Sequence, residues 1–590
     1  MKYDYQQAPP LREYSVKEGE AGTPADLAVI AKDIPCQAAC PALTNVPLYI
    51  EHLMNGDPDA CNAVNLECNV FPGVLGRVCT RPCEDSCRHQ WTNTRGPVEI
   101  CHLKRGGADA AKHVEPPAPH FTEATGKRVA VIGGGPAGLS AVRELKRFGH
   151  TVTLFEREPH LGGMMVDGIP RFRLPHDVIE KEINLIVDTG IEVELNANVD
   201  AARMQELVDT YDAVCIAAGT MQVNAIDIPG IDPEHLISGL QFMHDYNNRK
   251  ITALDGDVVV IGGGFTAVDC SRSSARAARR LLGEGGNISV YYRRSERFMA
   301  ANQAEMEEIE RENITIRTLA TPVSGRMEDG HVAAVTFRRN ILDPKSDGDK
   351  PRMIPIPDSE FEVPCRHVIV AIGQQRELGI LPEGLALAEG FNTTRPHVFA
   401  TGDFATGSDN VIKAVANGKQ AAEQIDTFLM GKARMETVVT VKTIDNEGYV
   451  GRVRDLDLLD PAPMQIAGLH ERAHDNYEVE QGFTPDAERV NAERCYLCHY
   501  KFEIDQDKCI HCDWCIDVAP RECIKRVSRV FTREDGTVET VVEANLAGEG
   551  TYIWIDSDEC IRCGKCLRVC PTEAISMQKT ELVHRPCCGS

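Results

Sequence analysis

Cysteine constrains this chain more than any other residue. It holds 23 of them in 590 residues, and sixteen sort into four sets of four. A [4Fe–4S] cluster is held by four cysteine thiolates, so each set marks places where the backbone must converge. Six of the sixteen lie before residue 102 and ten after residue 494, and two glycine-rich turns separate these cysteine-rich ends.

A chain of 590 residues has room for roughly three or four domains. Its net charge of −25 argues against nucleic acid and against an anionic membrane surface. A basic or cationic-patched redox partner suits it better, although acidity also serves solubility. The opening MKYDYQQAPPLREYSVKEGE has neither a basic n-region nor an apolar h-region, so no secretory signal is expected. No apolar run reaches the roughly 18 residues that span a bilayer, so no membrane insertion is expected. A reducing cytoplasm follows, where C-x-x-C spacing means metal or cluster binding rather than disulfides.

Residues 1–125 are rich in Cys, Pro and short helical patterns, and VEPPAPHFTEATG reads as a linker. KRVAVIGGGPAGLSAVRELKRFGHTVTLFERE reads as strand, tight turn, helix and second strand. A second copy starts at DVVVIGGGFTAVDCSRSSARAARRLL and ends in ISVYYRR. DAVCIAAGT, HVIVAIG and HVFATGDFA read as further short strands. The expected fold is multidomain α/β. An α-helical Fe–S domain spans 1–125, and a Rossmann-like FAD domain spans 126–250 and 374–432. A Rossmann-like NADP(H) domain is inserted at 251–373. A weakly periodic connector follows at 433–490, then a two-cluster ferredoxin-like α+β domain and tail at 491–590.

The first turn is Gly133-x-Gly135-x-x-Gly138. Such a turn brings backbone close to a pyrophosphate, which rests on the N–H groups and positive dipole of the helix N-terminus. Glu156, at the end of the second strand, is placed for ribose hydroxyls. The second turn, Gly262-Gly263-Gly264, lacks that acid; its second strand ends in Arg293 and Arg294, with Arg297 beyond. Guanidinium groups bind a 2′-phosphate through paired hydrogen bonds, which favours NADP(H), with NAD(H) as the alternative; a solvated basic surface is the plainer reading. Thr401-Gly402-Asp403 follows a short strand and precedes a helix start. In two-dinucleotide flavoproteins such a strand returns to the flavin domain, which assigns FAD to the first turn and places Asp403 near the ribityl and pyrophosphate groups. Lys413 and Asn417 are candidates for flavin contacts. The flavin helix carries no cysteine and the second has only Cys270, so a disulfide beside the flavin is not expected.

GRVCTRPCEDSC (76–87), GGGPAGLSA, GGMMVDGIPRFRLP (162–175, with Gly163) and GGGFTAVDC occur in this order. Together they resemble the small subunit of NADPH-dependent glutamate synthase and the N-terminal half of dihydropyrimidine dehydrogenase, over about residues 30–430. The resemblance implies an α-helical two-cluster domain followed by FAD and NADPH domains. The C-terminal part resembles a two-cluster bacterial ferredoxin. Two departures stand out. Phe265 follows the second turn where the family usually has Asn or Asp, and AVIAKDIP (28–35) lacks the family's first C-x-x-C.

In the family that missing pair completes a cluster with the positions of Cys36 and Cys87. AERCYLC (492–498) looks like the displaced pair, so Cys495 and Cys498 are expected to join Cys36 and Cys87. A zinc site or an idle pair is the alternative. The second N-terminal cluster takes Cys40, Cys79 and Cys83; the family's non-cysteine fourth ligand falls at Lys104, and Cys101, one helical turn earlier, is expected instead. In two-cluster ferredoxins the fourth Cys of each run serves the other cluster, which groups Cys509, Cys512 and Cys515 with Cys570. Cys560, Cys563 and Cys566 lack a reciprocal cysteine because position 519 is Ala519, and Cys523 is the natural substitute. A three-cysteine cluster and zinc remain the alternatives. Cys215, Cys270, Cys365, Cys61 and Cys68 read as packing residues; Cys587 and Cys588 receive no role.

The expectation is an iron–sulfur flavoprotein oxidoreductase in a hetero-oligomer. Electrons would pass between NADP(H), FAD, four [4Fe–4S] clusters and a protein partner, with no catalytic side chain because the cofactors carry the chemistry. The fused ferredoxin resembles the NAD(P)-linked subunits of 2-oxoacid:acceptor oxidoreductases. The alternatives are a glutamate synthase small subunit, with its large subunit as partner, and a free-standing NADPH:ferredoxin oxidoreductase. An assembly subunit with vestigial nucleotide sites, suggested by Phe265, is a third.

Overall fold

The computed structural model describes residues 19–20, 33–92, 95–299, 303–343, 346, 352–444, 458–473, 477–532, 538–544, 552–556 and 559–587. The opening 18 residues read for a signal, and Cys588, lie outside that range.

The N-terminal region is a set of short helices, including Val46–Met54, Pro58–Asn69, Pro72–Val78 and Ile100–Ala110. Several start on proline, whose fixed φ and missing N–H suit a first helical turn. The cysteines fall at helix ends: Cys40 closes Pro35–Ala39 and Cys79 closes Pro72–Val78. Gly76 lets two helices touch. A Cβ there would lie 2.7 Å from the Arg105 Cα, and this approach brings Cys79 beside Cys101.

Two parallel five-stranded sheets follow. The first has the order Val398–Ala400, Ala213–Ile216, Arg128–Ile132, Thr151–Phe155, Glu192–Glu194. The second has the order Thr315–Thr318, Ile288–Tyr292, Val258–Ile261, His367–Val370, Leu236–Ser238. Their central strands are apolar runs because helices cover both faces. Leu236–Ser238 lies within 126–250 yet belongs to the second sheet, since Phe242 and Met243 of the next helix pack into that sheet's core. A three-stranded antiparallel sheet, Ala320–Glu328, His331–Leu342 and Met353–Pro364, extends the second unit. Its Phe337 stacks on Tyr291 with ring centroids 3.9 Å apart.

The stretch read as a connector contains ordered structure. Met435–Ile444 runs antiparallel to Ile575–Pro586, from Met435 opposite Pro586 to Ile444 opposite Met577, and Tyr500–Ile504 flanks that pair. Further on, Val479 N donates to Phe172 O at 2.9 Å, Glu478 pairs with Arg77 at 2.7 Å and Arg105 at 3.1 Å, and Arg472 pairs with Glu308 at 2.6 Å. This segment therefore straps the helical region to both sheets. Among the described residues no helix is long and apolar enough to cross a membrane.

At the buried end of the strap, Glu312 accepts from Arg272 at 2.8 Å and from Arg276 at 3.0 Å, and the Arg276 guanidinium lies 3.5 Å from the Phe172 ring centroid. Burial acts to raise the Glu312 carboxyl, but the two guanidiniums pull it down to about 2. A depressed carboxyl contributes stability above its ordinary value of 4.5 and loses it as pH falls toward about 2. Glu312→Gln, which strands two buried cations, is expected to cost about 3–5 kcal/mol in denaturant unfolding at neutral pH. The gap to the unsubstituted protein should narrow below pH 4.5.

Candidate functional site

The first turn builds a cavity of ≈ 380 Å³ lined by Gly133, Gly135, Glu156, Gly163, Met164 and Asp403, among others. Gly133 has φ 103, and a Cβ there would stand 2.4 Å from the Ala217 carbonyl oxygen. A Cβ on Gly135 would meet nothing within 4 Å, so the space over the start of helix Pro136–Arg147 is open to an anion. Gly138 packs the helix onto the turn. Glu156 accepts from Gly134 N at 2.6 Å. Gly402 directly precedes the short helix Asp403–Thr406, and burial pushes the Asp403 carboxyl up to about 6.

Asn410 also lines this cavity and caps helix Val411–Met430 by accepting from Lys413 N at 3.1 Å. A second helix N-terminus therefore faces the same space. Lys413 and Asn417, the residues expected to touch flavin, are not in that lining: Lys413 pairs with Asp409 at 2.7 Å and Asn417 donates to Thr406 at 3.5 Å. Helical spacing explains the difference, since Asn410, Val411 and Ala414 hold the inward face. An asparagine at position 410, directly before the helical run VIKAVANGKQAA, was the missed N-cap signal.

A second cavity of ≈ 490 Å³ shares Met164, Asp403 and Asn410 with the first. Gly264, Phe265 and Thr266 of the second turn form another wall, and Cys79, Thr80 and Arg81 of the helical region a third. Arg173 crosses between the units to Asp269 at 2.5 Å and Glu305 at 2.6 Å. Gly262 and Gly263 lie against Ala371 and Tyr292. Arg293 is exposed, the Arg294 Nε is buried with no hydrogen-bond partner among the described residues, and Arg297 lies 4.5 Å over the Phe298 ring. These arginines follow strand Ile288–Tyr292 and are not among the residues that line the second cavity.

The cysteines gather in groups. Cys36, Cys87, Cys495 and Cys498 line one cavity of ≈ 20 Å³. Next to this set, buried Arg494 donates to Arg95 O, Gly96 O, Pro97 O and Leu459 O at 2.7–3.1 Å. Cys101 neighbours both Cys79 and Cys83, and Cys40 neighbours Cys83. Lys104 is buried among these four: burial opposes its charge, but Cys101, Cys79, Cys83 and Cys40 hold it above its ordinary range. Cys523 neighbours Cys560, Cys566 and Cys563; Cys509 neighbours Cys570 and Cys512, and Cys515 neighbours both Cys509 and Cys512. Among the described residues no three or more His, Cys, Asp or Glu side chains form a group that could hold a metal ion. A four-iron cluster does not need such a group, because its thiolates stand around a body of iron and sulfide rather than one ion. Cys215, Cys270 and Cys365 are buried in sheet and helix cores.

Residues 127–420 match the family described as pyridine nucleotide-disulphide oxidoreductase. Residues 12–115 match dihydropyrimidine dehydrogenase domain II, 4Fe-4S cluster, and 553–576 match the 4Fe-4S binding domain. The glutamate synthase [NADPH] small chain of Escherichia coli is 30% identical over 445 residues, 70% of this chain and 92% of that one. The chain belongs to that family. It is an iron–sulfur flavoprotein electron-transfer oxidoreductase, with an FAD/NADP-binding fold and 4Fe–4S domains. The NADP(+)-dependent formate dehydrogenase subunit beta of Moorella thermoacetica is 34% identical over 79% of this chain and 70% of its own. The NADPH-Fe(3+) oxidoreductase subunit beta of Geobacter sulfurreducens is 29% identical over 79% and 75%.

The first cavity fits FAD: an open helix N-terminus for pyrophosphate, an acid at the strand end for ribose, and a second helix N-terminus beside Asp403. Gly133→Ala in this oxidoreductase adds about 1–3 kcal/mol of backbone strain and a clash with Ala217. The flavin-to-protein ratio after purification should fall, with FAD held roughly tenfold or more weakly.

Proposed function

We propose that this chain is the NADP(H)-linked electron-transfer subunit of a larger cytoplasmic oxidoreductase. It would join NADP(H), FAD and four [4Fe–4S] clusters to a protein partner. The carrying observation is the ≈ 490 Å³ cavity, with walls from flavin-side Met164 and Asp403, nicotinamide-side Gly264 and Phe265, and cluster-side Cys79. Bound FAD supplies the exchange between hydride pairs and single electrons. Gly135 and Glu156 hold its pyrophosphate and ribose ends, and Asp403 borders both cavities. The helix start at Gly264 holds the nicotinamide nucleotide, and Arg293, Arg294 and Arg297 its 2′-phosphate.

Four ligand sets follow in line. Cys40, Cys79, Cys83 and Cys101 stand at the cavity wall. Cys36, Cys87, Cys495 and Cys498 come next; Tyr49, between the two sets, has Cys83, Cys101 and Cys36 as neighbours. Ile561 packs in the core of that second set, which supports Cys523, Cys560, Cys563 and Cys566 as the third. Cys566 neighbours Cys515, which supports Cys509, Cys512, Cys515 and Cys570 as the last, with Cys509 and Cys512 partly exposed for exchange with a partner.

The partner is a separate catalytic subunit of the 2-oxoacid:acceptor oxidoreductase type. Two relatives carry the name of a subunit in NADP-linked enzymes, which supports a multi-subunit assembly. The glutamate synthase small chain aligns with 70% of this chain and leaves the rest unaccounted for. Anaerobic NADPH should bleach the flavin and reduce the clusters; an unbleached flavin would make the nucleotide sites vestigial. Cys495→Ser should lower iron by about a quarter, and unchanged iron would remove that ligand pair. Co-purification from the host identifies the partner: a large glutamine-cleaving subunit would restore the glutamate synthase reading, and isolation alone a free-standing NADPH:ferredoxin oxidoreductase.

A further inference from the structure

Lys104 is a buried ammonium that, among the described residues, forms no ion pair with a carboxylate. Its residue is 4% exposed, and among the described residues its one hydrogen bond is from Nζ to Asn69 Oδ1 at 3.2 Å. Asn69 bonds Thr44 Oγ1, and Thr44 Oγ1 contacts Cys40 Sγ at 3.3 Å. Lys104 follows Cys101 by one turn on helix Ile100–Ala110, which puts both on one face. An uncompensated charge in a protein interior is strongly unfavourable. The groups that favour this charge are Cys101, Cys79, Cys83 and Cys40, and Cys79 also lines the cavity shared by the flavin and nicotinamide sites.

We propose that Lys104 is a positioning residue that sets the reduction potential of the cluster held by Cys40, Cys79, Cys83 and Cys101. The inference rests on that ligand reading. Adding one electron to a four-thiolate cluster adds one negative charge at a site of low dielectric, and a fixed cation nearby stabilises the reduced form. The flavin is the electron source, and one electron leaves it for each cluster reduced. Lys104 makes the cluster nearest the flavin a better acceptor. Asn69 holds the ammonium in place through the same hydrogen-bond chain that ends on Cys40.

The test is a spectroscopic redox titration of the full-length, anaerobically purified holoprotein, in unsubstituted form and as Lys104→Met, Lys104→Gln and Lys104→Arg. The signal that disappears in Cys79→Ser identifies the cluster. In Lys104→Met and Lys104→Gln that signal should need a potential more negative by at least about 59 mV, a tenfold change for one electron. Lys104→Arg should stay near the unsubstituted value, and the other cluster signals should not move. Lys104→Gln retains an amide donor toward Asn69, so it reads the charge alone if Lys104→Met fails to fold. A Cys79-dependent signal with an unmoved potential in both neutral variants overturns this inference alone. Spectra and iron content unaffected by Cys79→Ser overturn the ligand reading and this inference with it.

Discussion

Convergence of cysteines distant in sequence is the constraint on which the rest depends. Cys36 and Cys87 face Cys495 and Cys498 across one small cavity. This convergence forces the C-terminal region back onto the first helices. The surrounding core mixes both ends of the chain, with Tyr49, Ile50 and Val98 against Tyr496, Leu497 and Ile561. Arg494 reinforces the join with side-chain hydrogen bonds to the 95–97 backbone. With the ends fixed together, the two parallel sheets are held between them, and the cavity they share opens toward Cys79 rather than toward bulk solvent alone.

Buried charge fastens the helical region to the flavin sheet. Arg143 and Arg147 of the flavin helix reach back to Leu66 O, Glu67 O and the Glu67 carboxylate at 2.5–3.1 Å. Glu182, from the same unit, accepts from Gly73 N at 2.6 Å and Val74 N at 3.1 Å, at the start of the helix that ends in Cys79. Burial pushes this carboxyl up to about 7 despite both backbone donors. Folding makes this acid harder to ionise, so its contribution weakens as pH rises from 4.5 to about 7.

Much of this was legible in the sequence because it is local. Strand, glycine turn and helix sit within some 25 residues of one another, so the turns at Gly133 and Gly262 and the strands that follow announce two parallel sheets. Ferredoxin spacing likewise reports on its own loop. Pairings between distant segments were not legible. Met435–Ile444 finds its partner at Ile575–Pro586, and nothing in METVVTVKTI says which strand that will be. Leu236–Ser238 was assigned by position along the chain, whereas its neighbour's packing decides its sheet. The inward face of Val411–Met430 turned on a capping geometry that shifts the lining from Lys413 and Asn417 to Asn410 and Ala414. The buried ammonium of Lys104 was visible only as a departure from a family pattern, because burial is a property of the assembled helices.

The split cysteine set also bears on the order of biosynthesis. Cys36 and Cys87 leave the ribosome about 400 residues ahead of Cys495 and Cys498, a delay of about 20–80 s at ordinary translation speed. Throughout that interval the nascent helical domain holds two of the four cysteines that line that cavity. On the proposed ligand reading, cluster insertion there belongs after translation of the flavin and nicotinamide units, whereas the set of Cys40, Cys79, Cys83 and Cys101 is complete in the chain before either unit is made.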